Sequence, residues 1–162
     1  MTISVGDKLP AATLLQMGAE GPEAIELESK TKGRKVVIFG LPGAYTGTCS
    51  TAHVPSFIRT KDALAAKGVD EVICLSVNDP FVMGAWGEAT GASAAGIAML
   101  GDAEATLTKA LGLEFSAPPA GLIDRSKRYA LVAEDGVVTV LQIEDNAGEC
   151  NISAGESVVD AL

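Results

Sequence analysis

Cys49 has Thr46 three residues before it and His53 four residues after it, spacings that place a hydroxyl and an imidazole near a thiol on helical backbone. The apolar run Val36–Gly40 lies upstream, and Val54, Phe57, Ile58, Leu64 and Ala65 recur at helical spacing downstream, so the thiol stands where a strand hands over to a helix. The first turn of a helix offers unpaired N–H groups and the positive end of the macrodipole, and both favour thiolate over thiol. The Thr46 hydroxyl can serve the sulfur as donor or acceptor. The competing reading is a buried, inert cysteine, a common fate of free thiols.

Two other chemistries use the same residue types. A Cys49–His53 nucleophile pair would need an orienting Asn or Asp and an oxyanion hole, which nothing in the sequence marks. His53 is therefore expected to line or brace the pocket, with Gly43 also beside it. A C-x3-H metal site would need further ligands that Cys74 and Cys150 are not placed to supply, so no metal is expected. The basic cluster Arg125-Ser126-Lys127-Arg128 stands out in an acidic chain and precedes the apolar run Tyr129–Ala133. Either these charges are solvated at a strand edge, or one guanidinium points at the thiolate and binds an oxygen of a polar substrate.

The elements that would position these groups read as an α/β layer fold. Val36–Phe39 and Val72–Val77 are continuous apolar runs of the kind buried on both faces of a sheet, and Gly68 supplies a stop for the helix between them. Asn78-Asp79-Pro80 offers a cap and a first-turn proline for a second helix through Trp86. A strand at Gly96–Leu100 and a helix at Ala103–Leu111 follow. Tyr129–Ala133 and Val137–Ile143 flank the hairpin signal Asp135-Gly136, and a helix closes the chain at Gly155–Leu162. In the N-terminal region, Ala11–Met17 and Ala24–Glu28 form a hairpin around Gly18–Glu23.

The 162 residues suit one domain spanning 1–162. A net charge of −9 argues against a nucleic-acid partner. No run approaches the length of a membrane span, and the N-terminus carries no export signal, so the chain is expected to be soluble and cytoplasmic. Its three cysteines make neither a disulfide framework nor a zinc pattern.

Four segments, Pro42–Phe57 (PGAYTGTCSTAHVPSF), Gly68–Gly87 (GVDEVICLSVNDPFVMGAWG), Ala98–Phe115 (AMLGDAEATLTKALGLEF) and Gly121–Val138 (GLIDRSKRYALVAEDGVV), resemble the atypical two-cysteine, type II peroxiredoxins. The most specific element is Pro-x-x-x-Thr-x-x-Cys, met at Pro42, Thr46 and Cys49. The resemblance implies a thioredoxin-like fold, a central mixed β-sheet flanked by helices. It also implies a thiol peroxidase for hydrogen peroxide and alkyl hydroperoxides that needs no cofactor. Cys49 would be the peroxidatic cysteine and pass through a sulfenic acid. Thr46 would hydrogen-bond sulfur and peroxide, Pro42 would shield the sulfenate, and Arg128, rather than Arg125, would hold thiolate and peroxide. Many members place proline directly after the threonine, where this chain has Gly47.

The resemblance also implies a homodimer and a thiol reductant. Cys150 matches the position from which some members supply a resolving cysteine, and it is preferred to Cys74, which lies inside an apolar strand. The rival is direct reduction of the sulfenic acid by glutathione or glutaredoxin, and the recycling reductant is glutaredoxin with glutathione, or thioredoxin. A different class of function, a peroxide-sensing interaction protein, would use the same thiol without sustained turnover. A disulfide oxidoreductase would need a C-x-x-C pair that the chain lacks.

Overall fold

The computed structural model describes residues Met1–Leu162. Its centre is β3 (Lys35–Leu41), in which every residue after Lys35 is buried. On one side β3 pairs in parallel with β4 (Glu71–Ser76), Val37 opposite Val72 and Phe39 opposite Cys74. On the other it pairs antiparallel with β8 (Tyr129–Glu134). β5 (Ala98–Gly101) extends the parallel part, and β9 (Val137–Ile143) extends the antiparallel part. The β8–β9 turn uses Asp135 and Gly136 at φ 50° and 79°, the left-handed pair a tight hairpin requires.

An N-terminal hairpin, β1 (Thr13–Gly18) and β2 (Gly21–Glu26), completes a seven-stranded mixed sheet in the order β2-β1-β5-β4-β3-β8-β9. This hairpin is tighter than the sequence suggests. Gly18 pairs with Gly21 across two residues, and from Leu27 the chain is already helical in α1 (Leu27–Thr31), because Leu27 and Thr31 turn inward to be buried.

Alternation along β3 divides the core between the two sheet faces. Val37, Phe39 and Leu41 join Cys49, Cys74, Phe57, Trp86 and Val158 on one face. Val36 and Ile38 join Ile73, Leu75, Leu107 and Leu131 on the other. The first face is covered by α2 (Val54–Ala66), α3 (Pro80–Thr90) and α5 (Gly155–Ala161), and the second by α1, α4 (Thr106–Ala110) and the N-terminal segment. The predicted helix stops are present. Gly68 at φ 88° ends α2, with its N–H on the Ala65 carbonyl and that of Val69 on the Leu64 carbonyl. Asp79 caps α3 by accepting from the Val82 N–H at 2.9 Å.

A small second sheet, β6 (Glu114–Ala117) and β7 (Leu122–Ser126), joins α4 to β8 and has no counterpart in the sequence reading. It stands beside the end of β3 and the loop that follows. No helix is long and apolar enough to cross a membrane.

Candidate active site

β3 delivers the chain to Pro42, and three local ties shape the turn that follows. The Ala44 N–H donates to Asn78 Oδ1 at 3.0 Å, and the Thr46 N–H and hydroxyl both donate to the Gly43 carbonyl, at 3.3 and 2.8 Å. The Thr46 carbonyl then accepts from the Ser50 N–H, so the helix is under way before Cys49, which lies in its first turn. The Thr46 hydroxyl has one proton, and Gly43 takes it. Thr46 therefore faces the site as an acceptor, and the donor role open to it in the sequence is not used here.

Residues Cys49–His53 form a π-helical turn, with the Val54 N–H bonded to the Cys49 carbonyl. Pro55 explains it. Within one continuous helix it has no N–H for the Thr51 carbonyl, and its ring crowds that carbonyl, so the preceding turn widens. Cys49 and His53 both remain buried and both face Arg128.

Arg128, only 2 % exposed, is fixed along its whole guanidinium. Nε donates to the Ala147 carbonyl at 2.9 Å, Nη1 to His53 Nδ1 at 3.0 Å, and Nη2 to Cys49 Sγ at 3.2 Å. A guanidinium only donates, so His53 Nδ1 must accept and its proton sits on Nε2, which donates to the Ser153 carbonyl at 3.0 Å. Burial, reinforced by the Arg128 charge, lowers the His53 pKa to about 3, against the opposing effect of Ser153. His53 is thus a neutral brace behind Arg128. It does not line the cavity, and with both ring nitrogens engaged it is free neither as a base for Cys49 nor as a metal ligand.

Beside this group lies a cavity of about 260 Å³ bounded by Pro42, Thr46, Arg128, Phe115, Leu122 and Gly148, among others. Phe115 and Leu122 come from the β6–β7 hairpin, so the unforeseen sheet forms an apolar wall of the site. Gly43 is not on this wall; a Cβ there would fall 2.3 Å from Arg125 Nη1. Arg125 itself donates to the Pro42 carbonyl at 3.2 Å and so supports the loop while Arg128 touches the sulfur.

Neither of the other thiols accepts a hydrogen bond from Arg128. Cys74, fully buried in β4, has its pKa raised well above the ordinary value by burial first and by Cys49 second. Cys150 is half-buried in the loop after β9, and burial pushes its thiol up as well. All three cysteines are free. The residues that the sequence did not single out are Ala147 and Ser153, which act through backbone carbonyls, and Glu144, which accepts from Asn151 N, Ser153 N and Ser153 Oγ.

A mixed sheet that ends in a helix-borne thiol under an arginine defines a thioredoxin-like protein of thiol redox chemistry. The Redoxin family profile matches residues 4–159. Chloroplastic peroxiredoxin-2E-2 of Oryza sativa subsp. japonica is 48 % identical over 99 % of this chain and 73 % of its own length. Mitochondrial peroxiredoxin-2F of Arabidopsis thaliana is 45 % identical over 81 % of this chain and 65 % of its own. Reduced Prx3 of Vibrio vulnificus, solved in complex with hydrogen peroxide, superimposes with a TM-score of 0.91 at 45 % identity, covering 99 % of both chains. The chain belongs to the Redoxin family and, within it, to the type II peroxiredoxins, which makes it a thiol peroxidase.

The expectation of a cytoplasmic protein does not stand. Relatives this similar carry chloroplastic and mitochondrial addresses, so the lack of an export signal in these residues does not place the chain in the cytoplasm.

Proposed function

We propose that Cys49, as thiolate, attacks the terminal oxygen of a hydroperoxide seated in the cavity between Pro42, Thr46 and Arg128. The S–O bond forms as the O–O bond breaks. Cys49 becomes a sulfenic acid, and the leaving alkoxide or hydroxide takes a proton from solvent to give an alcohol or water. The observation that carries this reading is the Arg128 guanidinium, held by Ala147 and His53 with its third nitrogen 3.2 Å from Sγ. A donor fixed in advance and shielded from water stabilises both the thiolate and the charge developing on the departing oxygen. Thr46, its own proton committed to Gly43, accepts the hydroperoxide O–H and so orients the substrate. Pro42 closes the wall over the nascent sulfenate. The apolar Phe115 and Leu122 suit the alkyl group of an organic hydroperoxide.

The sulfenic acid then condenses with Cys150 to a disulfide with release of water, and glutaredoxin with glutathione, or thioredoxin, returns both thiols. Cys150 is favoured over Cys74 because it sits half-exposed on a loop without regular structure, whereas Cys74 is enclosed within a paired strand. Burial pushes its thiol up, so local opening of the loop favours the thiolate, and the disulfide needs the two Cα atoms within about 7 Å. A homodimer belongs to the same reading, with exposed Tyr45 and Phe81 as candidate apolar surface; sedimentation gives the mass directly.

The test is intact mass of the wild type and of Cys150→Ser after an equimolar dose of hydrogen peroxide. The wild type is expected to lose its two thiol hydrogens, and the variant to gain one oxygen. If both gain an oxygen and turn over equally with glutaredoxin, resolution is external. Sustained consumption of peroxide with a reductant separates catalysis from peroxide sensing.

A further inference from the structure

The loop 144–154 holds a buried carboxylate for which the attack on peroxide has no direct use. Glu144, 7 % exposed, places a single oxygen, Oε2, against three donors: Asn151 N at 2.6 Å, Ser153 N at 2.9 Å and Ser153 Oγ at 2.6 Å. Ser153 is fully buried, and its carbonyl is the acceptor for His53 Nε2. One continuous series of hydrogen bonds therefore runs from the Glu144 carboxylate through Ser153 and the His53 ring to Arg128 Nη1, and from Nη2 of the same guanidinium to Cys49 Sγ.

Each member has only one way to serve. His53 can accept from Arg128 only while Nε2 keeps its proton, and the Ser153 carbonyl secures that tautomer by accepting it. Ser153 lies outside any strand or helix, so no ladder fixes the direction of that carbonyl. The Ala154 N–H of the same peptide turns back to the Asn151 carbonyl at 3.2 Å, and the carboxylate grips Asn151 and Ser153 together, the latter by both its N–H and its hydroxyl. The Glu144 N–H donates in turn to the Arg128 carbonyl at 2.9 Å, so the carboxylate is anchored to the backbone of the arginine it serves.

We propose that Glu144 is a positioning residue for peroxide reduction: it orients the Ser153 carbonyl, which sets the tautomer and angle of His53 and through it the face that Arg128 turns to Cys49. This rests on Cys49 and Arg128 being the reacting pair. Misplacement of a preorganised donor by a fraction of an ångström to an ångström slows attack severely, even when the cause is remote from the sulfur.

The experiment is stopped-flow reaction of the reduced full chain with hydrogen peroxide, followed by the fluorescence of Trp86, the sole tryptophan, whose Nε1 donates to Ser50 beside Cys49. Glu144→Gln, His53→Gln and the double variant are compared with wild type, each with a thermal melt. Glu144→Gln is expected to lower the second-order rate about tenfold and to add almost nothing once His53 is already Gln, because both changes break the same series of bonds. A wild-type rate in Glu144→Gln overturns the proposal, and so does a loss that multiplies in full with that of His53→Gln. If Glu144→Gln does not fold, Ser153→Ala, which removes one of the three donors, is expected to slow attack about threefold, and an unchanged rate there overturns the proposal equally. Arg128→Lys measured alongside tests the reading on which this rests: an unchanged rate there means that Arg128 and Cys49 are not the reacting pair, an outcome distinct from an unchanged rate in Glu144→Gln alone.

Discussion

The helix start at residues 42–53 and the loop at 144–154 meet on the same arginine, yet they are held by different forces. The first grows out of β3, paired on both edges, and passes directly into helical hydrogen bonding. The second has no strand or helix of its own. It is held by the Glu144 carboxylate and by three carbonyls, of Ala147, Gly148 and Ser153, accepting from Arg128, Thr48 and His53. The half that carries Cys49 can hardly move without disturbing the sheet. The half that carries Cys150 is tied by side-chain hydrogen bonds and no sheet ladder, so it can open locally without unpairing a strand, as the proposed resolving step requires.

The largest effect expected from breaking this meeting point is at Arg128. Lysine keeps the charge but is a single ammonium, and it cannot reach Ala147, His53 and Cys49 together. Arg128→Lys should lower the rate of peroxide attack roughly 10²-fold, the usual loss when one preorganised donor is removed from a developing charge. Arg125→Lys should stay near the wild-type rate, since the Arg125 side chain packs over Gly43 and bonds the Pro42 carbonyl and makes no hydrogen bond to the sulfur. Stopped-flow rates on both variants decide the matter, and equal losses would erase the distinction between the two arginines.

Acid sharpens the comparison next, because the sole histidine ties the two regions together. His53 titrates near 6.5 in the unfolded chain and at about 3 in the folded one. Between those values the unfolded state binds the extra proton, so stability falls as pH falls through this window and is fully present above it. Urea melts at pH 7 and pH 5 should show wild type losing about 2 kcal/mol more than His53→Gln, which carries no group that titrates in this window. Parallel losses in the two proteins would mean that His53 is not held neutral by its burial.

Much of this architecture is legible in the residues. β3 and β4 are apolar runs, β8 and β9 flank an Asp-Gly turn, and Gly68 and Asp79 punctuate the helices as their types require. The rest leaves weaker marks. The π-helical turn is signalled by Pro55 alone, placed inside a helical pattern that proline ought to interrupt. The β6–β7 hairpin is short and only half-buried, with Pro118 and Pro119 between its strands, so its alternation does not rise above that of a loop. Ala147 and Ser153 contribute carbonyls, which every residue has. Glu144, following a strand in an acidic chain, looks like one more solvated charge. Function through the backbone has no residue-type signature, and this is why the half around Cys49 is readable while the loop half shows only Cys150.

The smallest expected effect probes how firmly the helix start is set. Gly47 is the first helical residue, where many relatives of this class place proline, and a Cβ at Gly47 would meet nothing within 4 Å. The first helical position tolerates proline because its N–H has no helical partner, and the ring fixes a φ that suits the helix. Proline also requires extended backbone in the preceding residue, which is the usual conformation of a helix-capping position such as Thr46. Gly47→Pro should therefore raise stability by about 0.4–1 kcal/mol by narrowing the unfolded ensemble, with the rate of peroxide attack unchanged. A destabilised variant would show that Thr46 is not extended. A stabilised but slower one would show that this turn, and not only the loop across from it, must flex for attack to proceed.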